Sequence, residues 1–485
     1  DFFPLAKSTQ IVCIFQLPFF QLPICFIFSG ILSVFSGFPA IPCGQSPVTV
    51  IQLQMTAKYK GECSVMSPTR TRRVCPPRYA NRLFCLTAGA YIAGLFGRMS
   101  YAAVMADLIA QEGLGKSQAG LIGTMFFVVY GVCQLLSGFL GDRISPKKLI
   151  FTGIIGSAVL NLGMGLSGAS YPAMLTLWTL NGVFQSMLWS PAARVFSEMI
   201  PPTHRKRACA NGAATYPIAT ILTYLFASAL LHFTGWRVDF LLSSLIMLIS
   251  AAFFWVRMSF YERETEQRGE IEEITLTQVE NAAQGSLIRT LIVSGTLLTV
   301  LGAVSLGLLR DGIQSWMPTY LDECFSLGAS LSVALSIVLP VFNLIGVYLS
   351  KWIAGRFIRN ELAGTACFMA VAGGALAVLC LTGMDNAVVS LALMTLSSTA
   401  LVGANLMIIN LMPIHFGAIG RASSVTGIFN SACYLGSALS SYGIGFFSER
   451  WGWTAAMAFL LVFAVITLLT SLSGIRRWGK YRRNI

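Results

Sequence analysis

The sequence contains few charged residues. Asp, Glu, Lys and Arg make up 11% of its 485 residues, whereas hydrophobic residues make up 55% and the mean hydropathy is +0.70. In a typical soluble domain about a quarter of the residues are charged. The composition therefore excludes a soluble globular protein and indicates a chain that crosses a membrane many times.

Motifs for metal or redox chemistry are also missing from the sequence. The twelve cysteines contain no C-x-x-C pair, and the three histidines form no cluster at metal-ligand spacing. No stretch resembles a nucleotide-binding loop or a nucleophile with its base. We therefore expect no metal, no cofactor and no enzymatic activity, and we interpret the cysteines as small apolar residues of a reduced protein.

Long apolar runs, in contrast, are abundant. About 20 apolar residues in a helix cross roughly 30 Å of hydrocarbon. Between the sixth and seventh runs, residues 259–290 carry seven glutamates and predict a polar linker. The predicted spans are 83–108, 118–140, 148–168, 172–196, 208–231, 238–257, 291–321, 327–350, 362–382, 387–411, 423–446 and 454–474.

The beginning of the chain does not fit this pattern. Residues 11–43 are apolar but contain four prolines, and the sequence opens on Asp1 rather than on a methionine. We interpret 1–54 as a non-native leader upstream of a start at Met55 or Met66. An additional anchor or a signal sequence is the alternative.

The basic residues predict which way the chain lies in the membrane. If the 476–485 tail is cytoplasmic, 26 Lys and Arg lie on that side, including those of a basic segment at 55–82. The opposite side has three, Lys116, Arg237 and Arg450. By the positive-inside rule both termini are cytoplasmic, as expected for the cell membrane. The net charge of +13 then reflects topology and contact with membrane lipids, not nucleic-acid binding.

Weak internal repeats divide the chain into two similar halves. "GFLGDRISPKK" (138–148) is matched by "GVYLSKWIAGRFIR" (346–359), and "HFTGWR" (232–237) by "ERWGWT" (449–454). We therefore predict an all-α membrane protein made of two pseudo-symmetric six-helix bundles, 83–258 and 291–475.

The first repeat motif and the twelve spans resemble the major facilitator superfamily. "GFLGDRISPKK" is similar to the signature that follows the second span in that family. The resemblance implies a gating role, in which small glycines let helices approach and an acid pairs across the seam between the halves. In the second copy Gly355 replaces that acid. The predicted gating residues are Gly138, Asp142, Arg143, Lys147 and Lys148.

Two arginines lie inside the predicted spans. Arg98 and Arg310 are 212 residues apart, which matches the spacing of the repeats. A charge at the centre of a bilayer costs about 2.5–3.5 kcal/mol, so two such residues at equivalent positions predict a paired site for an anion. The alternative is pairing of Arg98 with Asp107 and of Arg310 with Asp311. We expect that geometry disfavours it, because adjacent helical residues point about 100° apart.

Near these arginines the sequence resembles the organophosphate:phosphate antiporters. "GRMSYAAVMADL" (97–108), "GVFQSMLWSPAAR" (182–194) and "LLRDGIQSWMPTYL" (308–321) carry the resemblance. It implies that Tyr130, Gln134 and Tyr216 join the arginines in binding substrate. Several charges of those transporters are replaced here, a lysine by Met99, another by Gln134 and an acid by Ser315.

The sequence thus predicts a secondary transporter of a small organic anion that works by rocking of two halves about a central site. Exchange of an organophosphate for inorganic phosphate, by a monomer, is the main hypothesis. The alternatives are transport of a carboxylate or another organic anion, with or without coupling to protons, and a substrate sensor built on a transporter fold.

Overall fold

The computed structural model describes residues 69–485 except 169, 276–290, 359, 383–385, 417–421 and 484–485. These residues belong to one compact unit, Lys60–Ile485. The predicted leader, 1–54, lies outside the described residues and stays a prediction.

The first half of the described chain is helical and is flanked by two short strands. Five of its helices are single long rods, the fourth of which continues into a π-helical turn, and the fifth span is split into two helices. The elements are β1 (Thr69–Val74), α1 (Pro77–Glu112), α2 (Lys116–Arg143), α3 (Pro146–Leu166), α4 (Tyr171–Arg194) with the turn Val195–Met199, α5 (Pro202–Gly212), α6 (Thr215–Phe233), α7 (Trp236–Arg268) and β2 (Glu270–Thr275).

The second half repeats this plan with small changes. Its second span is split after one short helix, and its fourth span ends in a π-helical turn. The elements are α8 (Leu297–Phe325), α9 (Ala329–Ser336), α10 (Val338–Arg356), α11 (Glu361–Leu381), α12 (Ala387–Asn405) with the turn Leu406–Leu411, α13 (Met412–His415), α14 (Ala422–Trp451) and α15 (Trp453–Arg483).

These helices confirm the predicted all-α membrane fold. Within the described chain, ten helical segments are long and apolar enough to cross a membrane. The other two long helices, α4 and α14, contain polar side chains such as Asn181, Gln185 and Ser437 that are buried in the protein. Burial among other helices rather than in lipid explains how these two accommodate polar residues.

The ends of the helices define two ends of the bundle. We call the end where α1 begins and α7 and α15 finish the terminal end, and the opposite one the distal end. The 36 residues of α1 span about 54 Å at 1.5 Å per residue, more than the hydrocarbon core requires. The apolar core of the second half reaches into the first half at the distal end, where it includes Tyr101, Phe126 and Trp178.

Glycines bring α8 and α14 into backbone contact. A Cβ atom placed on Gly307 would collide with the carbonyl oxygen of Cys433, and one on Gly436 with that of Val304. Two helices can approach this closely only where both lack side chains. The crossing fixes the neighbourhood of Arg310, which lies one turn along α8 from Gly307.

The strand pair was not predicted from the sequence. β1 comes from the basic segment before the first helix and β2 from the acidic linker, and they pair antiparallel with Arg72 opposite Glu272. Glu272 also binds Arg205 of α5, at 2.7 Å between Nη2 and Oε2. Complementary charge on facing strands explains the pairing. The two ends of the first six-helix group are thereby joined, while the division of the chain at 258 and 291 stays a prediction.

Candidate functional site

Arg98 lies in the middle of α1 and points into the contact between the two halves. Its side chain is 7% exposed. Its guanidinium carbon is 4.9 Å from the centre of the Tyr130 ring and 5.8 Å from that of Tyr216. Aromatic faces attract cations, so much of the local environment of Arg98 is a ring cage. The rings come from three helices and belong to Phe126, Phe127, Tyr130, Tyr216 and Tyr434.

Arg310 lies at the corresponding place on α8 but has polar partners. Its Nε donates to Oδ1 of Asp311 at 2.8 Å, and its Nη2 donates to Oδ2 at 3.0 Å. Its Nη1 donates to the amide oxygen of Asn405 at 3.1 Å. The Arg310 side chain is 28% exposed. The guanidinium therefore makes a two-pronged contact with its own neighbour and is the more accessible of the two.

One carboxylate joins the two arginines. Oδ2 of Asp311 lies 3.9 Å from Nη2 of Arg98 and accepts a hydrogen bond from Ser437 Oγ at 2.6 Å. The Asp311 side chain is 3% exposed. Because Arg98 belongs to the first half and Asp311 to the second, this contact crosses between them.

The expectation that geometry disfavours pairing of Arg310 with Asp311 was wrong. The arginine side chain is long enough to turn along the helix and place its fork against the neighbouring carboxylate, so the 100° offset between adjacent positions is no obstacle. Neither arginine is therefore an unpaired charge. Asp107, in contrast, accepts hydrogen bonds from Gln111 and from the Trp236 backbone near the distal end.

The other predicted binding residues divide into two groups. Tyr130 and Tyr216 lie against Arg98, and Tyr130 also packs on Tyr434 with ring centres 4.6 Å apart. Gln134 lies one turn further along α2, toward the terminal end, and donates to Ser190 of α4 at 3.3 Å. The structure therefore brings four of the five predicted residues together at the arginine site. The fifth, Gln134, lies one turn away on α2 and is bound to α4.

A small cavity adjoins the arginine site on its distal side. It has a volume of about 40 Å³, and its walls include Arg98, Tyr216, Asp311 and Gln314. A water molecule needs about 10–15 Å³ of such a cavity. The cavity therefore has room for a few water molecules beside the two charged side chains.

Sequence reasoning missed several residues of the site. Asp311 was considered only as an alternative partner, and Asn405, Ser437 and Tyr434 were not considered. Asp311 offered a signal, since it is an acid inside an apolar span next to an arginine. The others are neutral residues on distant helices, and nothing in their local sequence points to Arg310.

Of the predicted gating residues, the structure describes the side chains of two. Gly138, Asp142 and Arg143 lie in the last turns of α2, and their side chains are outside the description. Lys147 binds Glu262 of α7 at 2.7 Å, within its own half, and Lys148 is exposed. A role for these residues across the seam stays a prediction.

The distal end carries ionic contacts between the halves. Lys116 at the start of α2 binds Glu323 of α8 at 2.8 Å, and the indole of Trp453 donates to the same carboxylate at 2.9 Å. The Ser117 backbone donates to Glu449 of α14 at 2.7 Å. These contacts hold α2 against α8 and α14, so the distal end is closed.

This arrangement of helices around a buried charged group is that of a membrane transport protein. The Major Facilitator Superfamily model matches residues 87–441, well over half of the chain, and the chain belongs to that family.

Two relatives and one solved structure refine the comparison. A "Probable hexose phosphate transport protein" from Chlamydia trachomatis is 26% identical, with 80% of this chain and 89% of that protein covered. The "Membrane sensor protein UhpC" from Salmonella typhimurium is also 26% identical, with 81% and 91% covered. A bacterial homolog of the human lysosomal transporter Spinster, solved in an inward-facing and unoccupied conformation, matches with a TM-score of 0.68 at 16% identity over 84% of this chain and 98% of that one. The relatives confirm the predicted resemblance to organophosphate transporters, and the solved structure supports the fold alone.

Proposed function

We propose that this chain is a secondary transporter of organophosphates that exchanges them for inorganic phosphate. The observation that carries the proposal is the meeting of Arg98 and Arg310, from equivalent positions in the two halves, at one buried carboxylate. Guanidinium groups bind phosphate oxygens in paired hydrogen bonds. A phosphate held by one arginine from each half would follow both halves as they rock.

The remaining features of the proposal concern the membrane. The terminal end is the cytoplasmic side, because the predicted loops on the side of the 476–485 tail contain 26 Lys and Arg in the sequence, and the protein resides in the cell membrane. The protein acts as a monomer surrounded by membrane lipids. Tyr130 and Tyr216 line the site and orient the substrate beside Arg98.

Exchange can be tested in lipid vesicles that contain the purified protein. Vesicles loaded with inorganic phosphate should take up labelled glucose-6-phosphate, and vesicles without internal phosphate should not. The Arg98→Ala/Arg310→Ala double variant should be inactive. Arg268→Ala, which removes an arginine that is 61% exposed at the terminal end, should transport like the wild type. Uptake that is independent of internal phosphate would contradict exchange.

A second candidate function is favoured by the charge of the site. The presence of Asp311, together with Met99 and Gln134 where the resembling transporters have lysines, lowers the positive charge available to a phosphate. Such a site suits a monoanion, for example a sugar acid carried with protons. Proton-driven uptake of labelled gluconate into phosphate-free vesicles would favour this function over exchange.

Sensing is the third possibility, because one relative is named a membrane sensor protein. A sensor would bind glucose-6-phosphate, seen as a rise in thermal stability, while the same preparation shows no flux in vesicles.

A further inference from the structure

The carboxylate of Asp311 occupies the place that a bound anion would take. Its Oδ1 accepts from Nε of Arg310, and its Oδ2 accepts from Nη2 of Arg310 and from Ser437. Oδ2 also lies 3.9 Å from Arg98. The paired donors of Arg310 that suit a phosphate are thus already engaged by the protein itself.

The charges at this place do not balance a phosphate ester. Among the described residues, the charged side chains of this group are two guanidiniums and one carboxylate, which gives a net charge of +1. A phosphate monoester carries about −1.5 to −2 at pH 7. Its arrival would leave a net negative charge at a carboxylate that is 3% exposed. The titratable and charged groups around Asp311 are Arg98 from α1, Arg310 from its own helix, Tyr216 from α6, and Cys433 and Tyr434 from α14.

Two acidic groups that share one buried site do not both stay ionised, because repulsion in a poorly solvated region favours protonation of one of them. The phosphate and the Asp311 carboxylate compete for the same two guanidiniums. Once the carboxyl group is protonated it has no negative charge, and it no longer competes with the phosphate. It also becomes a hydrogen-bond donor.

We propose that Asp311 is a displaceable counter-anion of the arginine pair, which takes up one proton from a buffer acid in the solvent as a dianionic ligand binds. The buffer acid loses its proton, an O–H bond forms on the Asp311 carboxyl, and the contacts of both guanidiniums pass from Asp311 to the ligand. The net charge at the site then changes by one unit instead of two. The inference rests on the proposed organophosphate function for its biological ligand. The proton linkage itself holds for any dianion that binds the two arginines.

Calorimetry can count the proton. Binding of glucose-6-phosphate to the detergent-solubilised protein is measured in buffers of different ionisation enthalpy, for the wild type and for Asp311→Asn. The ligand's own change of protonation adds the same number of protons to both measurements. The difference between the two proteins therefore gives the number of protons that Asp311 takes up. We expect the wild type to take up about one proton more per ligand. Equal proton numbers would overturn the proposal.

Inorganic sulfate serves as a dianion that does not titrate above pH 4. Wild-type affinity for sulfate should rise by up to about tenfold per pH unit as the pH falls from 8 to 5, and the affinity of Asp311→Asn should stay constant. A flat wild-type profile would overturn the counter-anion role. Absence of glucose-6-phosphate binding, with sulfate behaving as expected, would instead overturn the organophosphate function.

A second variant covers the case in which Asp311→Asn does not fold. Ser437→Ala removes the 2.6 Å hydrogen bond that stabilises the ionised carboxylate. Protonation of Asp311 should then be easier, and the rise in sulfate affinity should begin at higher pH than in the wild type. A profile that coincides with that of the wild type would contradict the role assigned to Asp311.

Discussion

Arg98 and Arg310 occupy equivalent positions in two similar halves, yet their surroundings differ. Arg98 is enclosed by aromatic rings from α2, α6 and α14, and its acidic partner comes from the other half at 3.9 Å. Arg310 is bound by Asp311 of its own helix and by Asn405 of α12. The first arginine is held mainly by packing and the second by directed hydrogen bonds.

The difference extends to the helices that carry the arginines. α8 crosses α14 through a glycine contact that leaves no room for a side chain at Gly307 or Gly436. In α1, Gly97 next to Arg98 faces side chains instead, among them Ser157 and Met247. The helix that carries Arg310 is therefore fixed by backbone contact with α14, whereas the helix that carries Arg98 packs against side chains at this level. An anion that contacts both Arg98 and Arg310 must therefore fit two different environments.

Removal of either guanidinium should have the largest effect and should not distinguish the two halves. Arg98→Ala and Arg310→Ala each delete one side of the anion site and leave Asp311 with a single arginine. Truncation of a buried charge pair costs about 2–5 kcal/mol, so transport should fall by at least about 30-fold. Uptake in phosphate-loaded vesicles measures the loss, and gel filtration checks folding. Full activity of the double variant would show that these arginines do not bind the substrate.

A methyl group at the glycine crossing of α8 and α14 should lower the thermal stability of the protein. Gly307→Ala forces a methyl group against the backbone of α14, and overpacking of this kind costs about 1–3 kcal/mol or more. Gly374→Ala in α11 is the matched control, because a Cβ there meets nothing within 4 Å. Thermal unfolding in detergent should show a lower midpoint for the first variant alone. Equal midpoints would mean that α8 and α14 can separate without cost.

Replacement by lysine should show the contrast between the arginines directly. Lysine keeps the charge but has no planar fork. Arg310→Lys loses the two-pronged contact with Asp311 and the bond to Asn405, whereas Arg98→Lys keeps a cation among aromatic rings. We expect about tenfold lower affinity for glucose-6-phosphate in Arg310→Lys than in Arg98→Lys, a difference of about 1.4 kcal/mol. The same loss in both variants would mean that the two arginines bind the ligand in the same way.

The sequence predicted the helices and the arginine pair but only part of the site around them. Apolar runs and internal repeats depend on local composition, so the spans could be placed from residue order alone. The site residues Asn405, Ser437 and Tyr434 lie 95 to 127 residues beyond Arg310 in the sequence and carry no charge that would mark them. The offset between adjacent helical positions predicts no pairing of Arg310 with Asp311, but the arginine side chain is long enough to reach the neighbouring carboxylate.

The smallest expected effect concerns the strand pair that joins the ends of the first half. Hydrogen bonds from Arg205 and Arg72 lower the pKa of Glu272 from its usual 4.5 to about 2. Because the folded-state pKa is the lower one, the stabilisation is fully present above about pH 4.5 and is lost as the pH falls toward 2. Glu272→Gln should therefore reduce stability by about 1 kcal/mol at pH 7, since solvent screens these partly exposed groups.

Thermal unfolding of the wild type and of Glu272→Gln, compared at several pH values, measures this contribution. The difference between the two proteins should shrink as the pH is lowered from 5 toward 3. Glu270→Gln, which changes an exposed glutamate of the same strand, should behave like the wild type throughout. A difference that does not change with pH would mean that the ion cluster stabilises the strand pair through packing rather than through charge, and the first half would then be held together at its ends in the same way as it holds Arg98.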